Sequence, residues 1–218
     1  DPADDQSFEL RSKESKPSRK RIILCVNRSL GEMELLQTKL RSFLAQLKLN
    51  GFEIIFIDLP EVSFDYKTIS STDIRADITK FLHRYGSDNE PRSFEGLVEC
   101  YRERPHAHLY GMERLEDALA MPQIEKSELK KLVQENVVKA RNLINSILDR
   151  YDADFVGFLN FVDWFSIGGG PSSTLPVSFE TKPPISIMLG SRVGNDLALL
   201  DIVQEFSEVA KAAQHTDN

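Results

Sequence analysis

Two apolar runs, Ile22-Ile-Leu-Cys-Val26 and Phe52-Glu-Ile-Ile-Phe-Ile-Asp-Leu59, flank a segment whose large apolar residues recur at helical spacing. The first run has no polar alternation, which suits a strand covered on both faces. Between the runs, Leu35, Leu36, Leu40, Phe43, Leu44 and Leu47 make one helical stripe. Ser29 stands three positions before Glu32, the spacing of a capping box, and Asn50-Gly51 supplies a stop. Pro60 ends the second run. Strand, helix and strand within about 40 residues predict a parallel pair with a right-handed crossover. The turn after the first strand, Asn27-Arg28-Ser29, holds no glycine, so the glycine-rich phosphate loop of a nucleotide fold is not there.

From Thr68 to Ala120 the pattern is mostly helical. Asp73 to Tyr85 places Ile74, Ile78, Phe81 and Leu82 on one face and stops at Gly86; Ser93–Tyr101 and Met112–Ala120 predict two short helices. The connection Pro105-His106-Ala107-His108 holds two alternating histidines. Zinc wants three or four ligands and no third is near in sequence, so a solvent-facing loop is expected and no metal site is assigned. Lys126–Arg150 is the longest helical segment, with a stripe that runs from Leu129 to Leu148 and includes Asn136.

That helix delivers the chain to Phe155–Ser191, which holds the single Trp of the sequence, its densest aromatic cluster and its Gly triplet. Ser173–Phe179 and Pro184–Leu189 read as two strands joined by the turn Glu180-Thr-Lys-Pro183. Ahead of the first strand, Gly168-Gly-Gly170 marks a backbone path or close approach that other residues resist. Asn160, Phe161, Trp164 and Gly169 are the candidate substrate-binding residues, forming one wall of a pocket. Core packing is the competing role for the rings. A last helix begins near Asn195 and runs to Ala213, with Leu197, Leu199, Leu200, Val203 and Phe206 as its buried face.

A formal charge of −7 over 218 residues disfavours general binding to nucleic-acid phosphates. No apolar run approaches the roughly 20 residues that span a bilayer, and no membrane partner is expected. The first residues are acidic and polar, unlike a signal peptide, and lack an initiating Met, so the chain is expected to start inside a longer protein. Cys25 and Cys100 form no disulfide framework and fit a cytoplasmic setting; Cys25 is expected to be a buried thiol. Residues 1–20 read as a polar lead-in, 21–213 as an α/β domain and 214–218 as a frayed tail.

In this order the segments resemble amidase signature enzymes, closest to the bacterial branch that includes peptide amidases. Asp1-Pro-Ala-Asp-Asp-Gln-Ser7 is similar to the segment that leaves the family's catalytic core, and Leu59-Pro60 to the Leu-Pro that ends its strand–helix–strand unit. Asp73–Leu82, Pro91–Val98 and Tyr110–Leu115 resemble three of its helical motifs. Tyr151–Val156, Gly169–Ser178 and Pro183–Phe206 resemble its closing strands and final helix.

The resemblance implies a mixed, largely parallel sheet covered by helices, the C-terminal part of the family's α/β/α fold. It implies hydrolysis of carboxamide C–N bonds in a small-molecule or peptide amide, without a cofactor, by a Ser-Ser-Lys set in which a neutral Lys takes the nucleophile's proton. That set belongs to the family's N-terminal half, so no catalytic residue is assigned in this chain. Alone it is expected to be inactive and to need that N-terminal segment, or self-association, to cover its strand edges. Ser172 and Ser173 are read as strand entry rather than as nucleophiles. Gly169 stands where the family has Tyr and Ser178 where it has Gly. These departures touch the pocket wall and mark either a divergent substrate range or lost activity; they motivate the alternative of a non-catalytic module that binds a ligand or a protein.

Overall fold

The structure, a computed structural model, describes residues 20–27, 34–36, 38, 40–87, 90–104, 106, 111–159, 162–178 and 184–216. The lead-in up to residue 19, the Ser29–Glu32 capping pair, His108, Asn160, Phe161 and the turn at 180–183 lie outside them. The chain divides into two compact units, one built from Asp1–Pro60 with Leu143–Asn218 and the other from Glu61–Asn142.

The first unit is organised on a five-stranded sheet of β1 (Arg21–Val26), β2 (Glu53–Asp58), β3 (Phe155–Phe158), β4 (Ser172–Ser178) and β5 (Ile185–Gly190), in the order β2-β1-β3-β5-β4. β1 pairs in parallel with β2 and β3, while β5 lies antiparallel to both β3 and β4. Four strands therefore run one way and β5 runs against them. β1 and β5 flank β3 in one sheet, as the amidase-like reading requires.

Side-chain alternation sorts the strands onto two covered faces. Ile22, Leu24 and Val26 join the cluster built with Phe43 and Leu47 of α1 (Arg41–Leu49) and Leu199, Ile202 and Phe206 of α7 (Asp196–Thr216). Phe206 is its hub, meeting Phe43 edge-on at 5.2 Å and Phe52 at 5.6 Å between centroids. Ile23, Cys25, Val156 and Phe158 alternate with these residues and are equally buried. Phe158 packs on α6 (Trp164–Gly168). The edge strand β4 carries Pro176, which has no N–H to give a further neighbour, and its register slips between Pro176 and Ser178.

The expected face of α7 needs correction. Leu199 and Phe206 are buried, but Leu197 and Leu200 are 45% and 60% exposed, and Ile202, Val209, Ala210 and Ala213 complete the seam. The helix also continues to Thr216, past the expected end at Ala213.

The second unit contains α2 (Tyr66–Tyr85), α3 (Phe94–Arg102), α4 (Glu113–Ala120) and the part of α5 (Lys126–Arg150) up to Asn142. Phe94, Val98 and Ala118 are its buried centre, with Ile78, Met112, Leu115 and Leu119 packed around them. Ser93 caps α3, its hydroxyl accepting from the Gly96 N–H at 3.1 Å. Asn136 is 3% exposed: its Oδ1 accepts the Asp65 N–H at 2.9 Å, and its Nδ2 donates to the Leu132 carbonyl at 2.8 Å. A polar residue in the apolar stripe is thus a clip that holds the entry to α2. α2 starts at Tyr66, ahead of the expected Asp73, and its supposedly buried Ile74 and Phe81 are 39% and 61% exposed.

Candidate functional site

The register aligns the carboxyl ends of four strands. β1, β2 and β3 end at Val26, Asp58 and Phe158 along one edge, and Ser178 of β4 reaches the same edge opposite Ile185. Open α/β sheets bind ligands outside the carboxyl ends of such strands, where topology changes direction. Here the strand order reverses between β1 and β3, because β2 lies on the far side of β1. The chain leaves β3 at this edge through Leu159, and the candidate residues Asn160 and Phe161 come next in sequence but lie outside the described residues.

Trp164 opens α6. Its ring is 5% exposed and meets Phe158 edge-on at 5.0 Å, while Phe165 meets Phe158 at 5.9 Å. The structure thus packs Trp164 in the core against Phe158 at the end of β3. Gly169 follows α6 at φ +70°, a left-handed cap. A Cβ on Gly170 would stand 2.8 Å from the Ser191 carbonyl oxygen, so the triplet answers both to backbone conformation and to close approach. This crossing lies beside Ser191, whose N–H donates to the Pro171 carbonyl at 3.1 Å. Ser191 adjoins Gly190, which pairs with Val156 and Ser172. Gly169 is accordingly near the amino end of β3, the end opposite to that from which the chain leaves for residue 160.

Ser191 is wholly buried and satisfied: its hydroxyl donates to the Asp154 carbonyl at 2.7 Å and accepts from Asn195 Nδ2 at 3.1 Å. The Arg192 guanidinium pairs with Asp149 at 2.7 Å, tying the end of α5 to the turn before α7. Ser172 and Ser173 belong to edge strand β4, opposite Gly190 and Leu189. Cys25 is 2% exposed, and burial pushes its thiol up to about 12, which removes it as a nucleophile at neutral pH. Among the described residues no three of His, Cys, Asp and Glu gather as a metal site, and His106 is exposed. No helix among them is long and apolar enough to cross a membrane.

One concavity escaped the sequence reading. Phe81, Leu82, Tyr85, Leu97, Cys100 and Tyr101 line a groove of about 460 Å³ within the second unit. Its signal was the stripe of α2, read as core although part of it faces outward.

An amidase family protein from Bacillus anthracis str. Ames matches 88% of this chain with a TM-score of 0.73 at 16% identity, the match taking in 39% of its own length. The native peptide amidase of Stenotrophomonas maltophilia matches 88% of this chain and 43% of its own, with a TM-score of 0.67 and 14% identity. The chain has the amidase signature fold. A bacterial aryl acylamidase of the amidase signature family agrees at a TM-score of 0.51, 13% identity, 88% of this chain and 46% of its own. The chain therefore spans less than half the length of these amidase-fold structures. No protein-family model matches the sequence, and no curated protein matches it at a significant level.

Proposed function

We propose that the chain is the C-terminal part of an amidase signature hydrolase that cleaves carboxamide C–N bonds. It supplies strands, covering helices and one wall of the substrate pocket, while the Ser-Ser-Lys set lies on a segment N-terminal to Asp1. The observation that carries this reading is the match of 88% of the chain to less than half of a peptide amidase. The order of sequence motifs along the chain supports the same placement. In this reading Asn160 and Phe161, next in sequence after β3, belong to that wall, Trp164 braces it from beneath, and Gly169 sets the crossing into β4. The substrate is a small-molecule or peptide amide in a cytoplasmic protein, and the N-terminal segment or a second copy covers the open edges of β2 and β4.

The test is hydrolysis of amides, peptide amides included, by this chain alone and by the protein with its N-terminal segment restored. Turnover only after restoration, lost when the restored lysine is replaced, is the expected result. Turnover by the chain alone overturns the assignment of the reactive residues. A restored protein without a Lys-Ser-Ser set favours the non-catalytic module instead.

A further inference from the structure

The groove of the second unit combines exposed rings with a guanidinium that has no ion pair among the described residues. Phe81 and Tyr85 meet at 5.1 Å with their rings tilted by 44° on the outer face of α2 and are 61% and 63% exposed; Tyr101 of α3 is 37% exposed. Its volume of about 460 Å³ falls in the range of roughly 300–1,000 Å³ typical of small-molecule clefts. Two charged residues line it, Glu90 and Arg104. Glu90 is already engaged, its carboxylate accepting the Ser87 N–H at 2.8 Å. That hydrogen bond, with Arg92 nearby, holds its carboxyl below the usual range. Arg104 makes no ion pair among the described residues. A second guanidinium, that of Arg84, lies 5.3 Å from the Tyr85 ring centroid. The groove thus sets the Arg104 guanidinium beside aromatic surface.

We propose that this groove binds a small arylalkyl monocarboxylate, its ring against Phe81, Leu82 and Tyr85 and its carboxylate on Arg104. A planar guanidinium matches a carboxylate through two parallel hydrogen bonds, and aromatic walls favour an aromatic tail. The proposal concerns the second unit alone and does not depend on amide hydrolysis.

Cys100 lines the same groove and provides the readout, because Cys25 is buried and its thiol stays protonated at neutral pH. Alkylation of Cys100 by N-ethylmaleimide is followed by mass spectrometry on the full chain with 4-phenylbutyrate or 4-phenylbutan-1-ol, alongside isothermal titration of both. The carboxylate is expected to protect saturably and to bind about fivefold tighter than the alcohol, the scale of an exposed ion pair. Arg104→Gln should abolish that difference with an unchanged circular-dichroism spectrum, and Arg104→Lys should keep part of it. Equal binding of acid and alcohol, binding of neither, or a preference that survives Arg104→Gln overturns the proposal.

Discussion

The ring of Phe165 lies against Gly190 so closely that a Cβ on the glycine would stand 2.3–2.5 Å from three ring carbons. Phe165 is 1% exposed, so its ring has little room to withdraw, and β5 is held between β3 and β4. Alanine ordinarily improves a strand glycine. Here overpacking decides the sign, and Gly190→Ala should destabilise the chain by about 1–3 kcal/mol in urea unfolding. Adding Phe165→Leu should recover part of the loss. Full stability in the single variant would mean that the ring moves freely.

Leu199 and Leu200 are neighbours in α7 with opposite fates, 3% and 60% exposed. Leu199→Ala should cost about 2–5 kcal/mol through lost burial and a residual cavity. Leu200→Ala should stay within about 0.5 kcal/mol. Comparable losses in thermal or urea unfolding would restore the broader buried face that the sequence suggests.

That pair shows where sequence patterns stop. Ile22–Val26 was legible as a strand because a fully apolar run bounded by polar residues has few other solutions. Gly169 announced its own turn through a conformation that other residues resist. The start of α2 was harder: residues 66–72 are rich in Ser and Thr, weak helix formers. Tertiary contacts hold that turn, with Lys67 paired to Asp117 at 2.8 Å and Ser71 only 5% exposed. Nor does local pattern say that Ile74 and Phe81 face outward, since burial of a helical stripe depends on what packs against it. The candidate wall was legible only as a composition. The position of the glycine crossing beside the amino end of β3 is a long-range property.

Asn136 sits among apolar residues of α5, and the Asp65 N–H spends its hydrogen bond on it. Asn136→Ala strands that partly buried donor and should lose about 1–3 kcal/mol. Hydrogen exchange localises the effect: the Asp65 amide should exchange faster in the variant, while β1 amides keep their protection. Unchanged exchange at Asp65 would mean that another acceptor or water takes the place of Asn136.

Cys25 makes the stability of the sheet depend on alkaline pH. Its thiol stays protonated in the fold up to about 12, against 9.0 when unperturbed, because burial penalises the thiolate. Above pH 9 the unfolded chain releases this proton while the folded chain keeps it. The folded state then binds more protons, and stability falls as pH rises. The contribution is fully present below pH 9 and is lost through the interval to about 12, at about 1.4 kcal/mol per pH unit. Urea unfolding of the parent and of Cys25→Ala at pH 8, 9 and 10 isolates it, because lysines and tyrosines titrate alike in both. The parent should lose about 1 kcal/mol more than the variant between pH 9 and 10. Parallel pH profiles would mean that the thiolate is reached in the folded chain, which a residue on central strand β1, covered on both faces, should not allow.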